Sequence, residues 1–177
     1  MQNLAIRVYV GTYKKYNNGS IDGGWLSLND FIDYDDFIEA CKKLHKDEHD
    51  PEFMFQDSEV DYDALKSLIS ESYINSDIYD IIDAIENSDD IDMVFSYIDA
   101  MGCDLNNDGI HDIIQNAENA YQGFYSSDEE FARNFVNEMG YLENPITLLY
   151  DNIDWKGVAH DLMHDYVGCD GYYFSNH

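Results

Sequence analysis

Apolar residues recur along the chain in two distinct rhythms. From Leu4 to Val10, β-branched and aromatic residues in short alternation predict a strand, and Asn17-Asn18-Gly19 supplies turn chemistry before a second strand ending in Trp25-Leu26-Ser27-Leu28. Together these two segments predict a hairpin. Phe31, Tyr34, Phe37, Ile38 and Cys41 then recur at helical spacing, predicting a helix capped by Asn29 or Asp30 and running through about Leu44. Pro51 closes that element, and residues 52–57 read as a short third strand. Residues 1–59 therefore form an N-terminal α+β unit in this reading.

From Val60 to Cys103 the rhythm is helical. Leu65, Leu68, Ile69 and Tyr73 mark one stripe, Ile78, Ile81, Ile82 and Ile85 a second, and Ile91, Val94, Phe95, Ile98 and Met101 a third. The fold class is thus α+β, with an acidic helical unit over 60–104 and a helical and β unit over 105–177. In that last part, Ile110, Ile113, Ile114 and Ala117 predict a helix closed by Tyr121-Gln122-Gly123. Ser127 is placed to cap a helix over 128–139, 154–166 reads as another helix, and Tyr172-Tyr173-Phe174 adds a final strand.

Charge changes the picture. The 177 residues hold 37 Asp and Glu, 26 of them Asp, against 9 Lys and Arg, for a formal net charge of −28. Phosphate binding draws on Lys and Arg contacts that release counterions, so nucleic acid and anionic membranes are excluded as partners and a basic partner is expected. With 45% hydrophobic and 15% aromatic residues, the chain can nonetheless build packed cores. No stretch approaches the roughly 20 apolar residues of a membrane span. Cys41, Cys103 and Cys169 lie far apart without C-x-x-C spacing, which points to reduced thiols and a cytoplasmic protein.

The charge is also concentrated. Between Lys66 and Arg133 there is no Lys or Arg, while residues 67–132 contain sixteen acids. Asp77, Asp80, Asp83, Glu86, Asp89 and Asp92 recur at every third position, which on a helix spaces them about 4.5 Å apart along the axis, winding because each step lags a full turn. Phosphates on one strand of duplex DNA rise by about 3.4 Å, a density of the same order. Asp is a poorer helix former than Glu but has fewer rotors to immobilise, so its excess suits carboxylates that a partner holds in place. A solvated helix face or adaptation to high salt would also produce an acidic run.

Motifs for chemistry are weak. Asp104-Leu105-Asn106-Asn107-Asp108-Gly109 matches the opening of a calcium loop, but Gln115 stands where a bidentate Glu is required, and an Asn/Asp/Gly turn is the simpler reading. His45 with His49, and His160 with His164, are four apart yet lack the H-E-x-x-H glutamate, and read as surface histidines; no metal or other cofactor is implied. Ser126-Ser127 lies in a capping context. No nucleophile elbow or phosphate loop occurs, so the chain reads as a non-enzyme. Trp25 and Trp155 read as core anchors.

Several segments resemble one family, in order and over nearly the whole chain. Val8-Tyr9-Val10-Gly11-Thr12-Tyr13, Tyr16-Asn17-Asn18-Gly19 and Gly24-Trp25-Leu26 are similar to the opening of the ArdA antirestriction proteins; Tyr121-Gln122-Gly123-Phe124-Tyr125-Ser126-Ser127 with Glu130-Phe131-Ala132 resembles their central stretch. Asn152-Ile153-Asp154-Trp155 with Asp161-Leu162 resembles their C-terminal signature. The resemblance implies an elongated, curved homodimer whose carboxylates imitate bent B-form DNA and occupy the DNA-binding groove of type I restriction-modification enzymes, carried by mobile genetic elements. It places the antirestriction motif near a dimer contact at about 140–155, including Leu142, Glu143, Pro145, Tyr150 and Asp154. Candidate mimic carboxylates are Asp77, Asp80, Asp83, Glu86, Asp89, Asp90, Asp92, Asp99, Asp112, Glu118, Asp128, Glu129 and Glu130. The alternative function is a generic acidic or calcium-dependent protein-binding module.

Overall fold

Ile6, Val8 and Val10 are fully buried while Arg7 is exposed, the alternation of a strand with one covered face, and this is β1 (Ile6–Thr12). The computed structural model describes residues 4–142 and 147–177. After β1 comes one short helix, α1 (Tyr13–Asn17), capped by Thr12, whose side chain accepts from the Lys15 N–H. β2 (Gly24–Ser27) then returns antiparallel to β1, so the expected hairpin forms with a helical turn inside its connection.

The next helix, α2 (Tyr34–Leu44), starts later than its sequence suggests. Residues 28–30 form a 3-10 turn, and Asp33 is the cap, accepting from the Asp36 N–H at 2.9 Å. Asn29 is drawn elsewhere: its amide donates to the Leu4 carbonyl at 2.8 Å and so ties the start of the chain to this turn. α2 buries Phe37 and Cys41, one turn apart, and the Phe37 ring lies 6.2 Å from that of Phe55 on β3 (Phe53–Val60). Burial pushes the Cys41 thiol up to about 12. The sheet order is β2-β1-β3, with a register shift between β1 and β3 at Tyr9/Val10.

The helical stripe expected through Leu65 and Tyr73 is corrected here. Residues 63–68 form a 3-10 helix that buries Leu65 and Leu68, and the chain then turns into a two-stranded ladder of β4 (Ile69–Ser70) and β5 (Tyr73–Ile74). Apolar spacing of three and four fits both arrangements, and β-branched Ile69 and Ile74 favour the extended one. The following helices match their stripes. α3 (Ile78–Glu86) buries Ile78, Ile81, Ile82 and Ile85, α4 (Ile91–Met101) buries Ile91, Val94, Phe95 and Ile98, and α5 (Ile110–Ala120) buries Ile110, Ile113 and Ala117.

Tyr121-Gln122-Gly123 does not merely close α5 but forms β6 (Tyr121–Phe124), paired with the chain's last strand. α6 (Asp128–Glu138) is capped by Ser127 as expected, its side chain accepting from the Glu130 N–H. α7 (Thr147–Tyr150) precedes α8 (Trp155–Leu162), which ends before the expected limit at Tyr166, because Tyr166 opens β7 (Tyr166–Cys169). β7 returns through Asp170 and Gly171, both at positive φ, into β8 (Tyr172–Ser175). That Asp-Gly step is a strong hairpin signal. The sheet order is β6-β8-β7.

The fold is α+β, with three small antiparallel sheets among the described residues. It divides into two compact units, one running to Ile91 with Asp104–Asp112 added, the other Asp92–Cys103 with Ile113–His177. Residues 60–104, expected as one acidic unit, are shared between the two. The second unit has an aromatic core in which Phe131 stacks on Tyr173 at 4.7 Å and the Tyr97 and Phe174 rings meet edge to face at 5.2 Å.

Candidate partner-binding surface

In the first unit, α3 turns its four isoleucines inward, so Asp80 and Asp83 on its polar side are exposed. Asp77 occupies the cap position without making a cap hydrogen bond and is exposed too. Glu86 differs. It is half-buried, and its carboxylate accepts from the Leu4 N–H at 2.6 Å, which fastens the entry to β1 onto the end of α3. The every-third ladder is thus broken after Glu86: Asn87 caps the helix end, Asp89 is exposed and Asp90 half-buried in the connection, and Asp92 begins again in the first turn of α4. Asp112, in the first turn of α5, is exposed.

In the second unit, Asp92 and Asp99 on α4 and Glu118 on α5 are exposed. Asp128, Glu129 and Glu130 form the first turn of α6, where the exposed N–H groups favour negative charge. Two of them also work within the fold. Asp128 accepts from the Tyr173 hydroxyl at 2.6 Å, and Glu130 accepts from the Ser126 side chain at 2.5 Å and its N–H at 2.8 Å. The Ser126 hydroxyl, and then its N–H, hold the Glu130 carboxyl below the usual carboxylate range.

The ion pairs among the described residues engage other acids. Lys15 bridges Asp22 and Asp47, Arg7 pairs with Glu59, Lys42 with Glu39 and Lys66 with Asp63. Arg133 lies over the Trp155 ring at 4.8 Å. Asp77, Asp80, Asp83, Asp89, Asp99, Asp112, Glu118 and Glu129 take part in no ion pair among the described residues. Carboxylates left in water without a cation keep their full charge available to an incoming partner.

On a fold so arranged, a family match decides the assignment: the model of the antirestriction proteins (ArdA) covers residues 8–174. The chain belongs to the ArdA family. No curated protein matches it. The ArdA family is one of inhibitors rather than enzymes, and membership implies antirestriction function and suggests a restriction-modification enzyme as partner. No helix among the described residues is long and apolar enough to cross a membrane.

The ArdA motif residues have definite places. Asp154 caps α8, its carboxylate accepting from the Gly157 N–H at 3.0 Å. Tyr150 is half-buried against Trp155, with ring centroids 5.0 Å apart, and its hydroxyl accepts from the Asn137 amide at 3.2 Å. Leu142 is half-buried, and Glu143 and Pro145 lie outside the described residues. In the same stretch of sequence, the apolar side chains of Met139, Tyr141 and Leu149 are exposed by 56%, 70% and 63%, which the sequence pattern did not single out.

Other expectations in this ArdA chain are settled by burial. His45 is not a surface residue: it is 1% exposed, its Nε2 donating to the Val10 carbonyl at 3.1 Å while Nδ1 accepts from the Lys15 ammonium at 3.1 Å. Its neighbour His49 is exposed, so the two do not share a face toward solvent. Trp155 is buried as expected, whereas Trp25 is half-buried, with the Arg7 guanidinium 5.2 Å from its ring centroid. In the 104–109 turn, Asp104 accepts from the Asn106 N–H at 2.9 Å and the Asn107 amide at 2.5 Å, and Asn106 is held between Asn75 and the Ser67 carbonyl. These bonds are those of an Asx turn tied to the first unit.

Proposed function

We propose that this ArdA protein acts as a DNA mimic, occupying the DNA-binding groove of a type I restriction-modification enzyme and excluding duplex DNA by competition. The observation that carries the reading is the set of exposed carboxylates Asp77, Asp80, Asp83, Asp89, Asp99, Asp112, Glu118 and Glu129, which form no ion pair among the described residues, on a chain of net charge −28. Basic groups that grip phosphates would grip these carboxylates instead, each charge-assisted contact contributing modestly and the sum strongly. Their positions on short helices are fixed in advance, and a folded decoy avoids the energy of bending DNA, roughly 1–6 kcal/mol for a moderate bend.

A homodimer extends the acidic surface in this reading, and the exposed Met139, Tyr141 and Leu149 beside the motif support a contact there. The protein acts in the cytoplasm, where the target enzyme meets incoming DNA. Titration against a purified type I methyltransferase core tests the proposal. The mimic requires duplex DNA to compete and added salt to weaken the complex. Binding that ignores both would overturn it.

A further inference from the structure

His160 lies in the last turn of α8 and His164 four residues further on, with Asp161 between them. A step of four returns to nearly the same side of a helix, and here the two imidazoles meet edge to face with centroids 5.4 Å apart. One donor atom from each of His160, Asp161 and His164 lies within 4.8 Å of the other two, and all three residues are exposed. Donors bound at about 2.0–2.2 Å to a zinc-like ion stand roughly 3–4 Å from one another. Exposed side chains have other rotamers open to them with which to close that difference.

The three side chains are available. Among the described residues, none of them makes a hydrogen bond or ion pair, in contrast to Asp104 and Asn106, whose oxygens are already engaged by their own turn. The surroundings favour a cation. Asp128 and Glu129 line the same open cleft as His160, with Lys156 the one opposing charge there, and Asp165 follows His164 directly. A net charge of −28 raises the local concentration of any divalent ion.

We infer that His160, Asp161 and His164 form a binding site for a divalent transition-metal ion of the zinc, nickel and copper class. Donor type sets that class, since two imidazoles suit these ions, whereas calcium and magnesium ask for oxygen ligands. Three protein donors leave the remaining positions to water. The bound ion joins the end of α8 to the turn that leads into β7, so it stabilises the second unit by mass action. None of the three ligands is a carboxylate assigned to DNA mimicry, although Asp128 and Glu129 of that set border the cleft.

Calorimetric titration of the full chain with zinc sulfate at high ionic strength, where condensation on the acidic surface is suppressed, tests the assignment. One saturable equivalent is expected. It weakens on the order of tenfold or more in a His160→Gln/His164→Gln variant, remains in His177→Gln, and is not reproduced by magnesium. In the unaltered protein, NMR of the imidazoles should show His160 and His164 moving with added zinc. Equal zinc binding by the wild type and the double variant would mean an adventitious ion only and would overturn the site, as would the absence of a saturable isotherm or unmoved His160 and His164 resonances.

Discussion

The Tyr173 hydroxyl on β8 donates a 2.6 Å hydrogen bond to Asp128 at the first position of α6. It spans 45 residues of sequence and fixes a carboxylate that would otherwise turn freely at the helix start. Burial, then the bond to Asp128 and its charge, raise the pKa of Tyr173 above its ordinary value.

Tyr173→Phe keeps the stack on Phe131 but removes this bond, and should destabilise the protein by about 1–2 kcal/mol in urea unfolding. Because the folded-state pKa is raised, the tyrosine's contribution is complete below the unfolded value of about 10 and is lost as pH rises through the folded one. Stability of the wild type should therefore fall above about pH 10, with a shallower fall in Tyr173→Phe. Parallel pH profiles of the two proteins would refute the coupling.

Gly171 sits at φ +88°, and a Cβ there would come within 2.7 Å of the Phe124 ring. Gly19 has φ +79° with nothing within 4 Å. Both alanine variants carry the left-handed backbone penalty of about 1–2 kcal/mol, but Gly171→Ala adds a clash with the aromatic side of β6. Thermal unfolding should rank Gly171→Ala clearly below Gly19→Ala. Equal melting temperatures would mean that Phe124 yields freely.

His45→Phe fills the buried site but leaves the Val10 carbonyl without its donor and removes one acceptor from Lys15. Loss of about 1–3 kcal/mol is expected in denaturant unfolding. Lys15→Met breaks the pairs to Asp22 and Asp47, but both carboxylates face water, where such pairs contribute little, so it should be the milder change. The reverse order would show that the ammonium, not the imidazole, holds this corner.

Crowded like charges predict a melting temperature that rises with moderate sodium chloride as repulsion is screened. Asp77→Asn, Asp80→Asn and Asp83→Asn combined should raise the melting temperature at low salt, because no ion pair is broken. In the mimic reading the same variant binds the methyltransferase core about tenfold more weakly, with a shallower salt dependence. A stabilised variant that binds as tightly as the wild type would remove α3 from the interface.

Local rules made much of this chain legible. The stripe of Ile78, Ile81, Ile82 and Ile85 and the Ser127 cap depend on residues within one or two turns, and each appears where its spacing puts it. The exposure of Asp80 and Asp83 follows directly, since a helix that buries one face must show the other. The Asp-Gly signal at Asp170-Gly171 was equally local; reading residues 154–166 as one continuous helix concealed the strand before it.

Contacts distant in sequence decided the rest. Glu86 and Asp80 are alike as letters in an acidic run, yet Glu86 turns inward because the Leu4 N–H, 82 residues away, needs an acceptor. His45 is buried because β1 presents the Val10 carbonyl to it across 35 residues, and its spacing from His49 carries no trace of that. A side chain's chemistry is written in the sequence. Whether that chemistry faces water or a buried partner is set only when the chain folds, because satisfying each buried polar group requires a neighbour that periodicity cannot name.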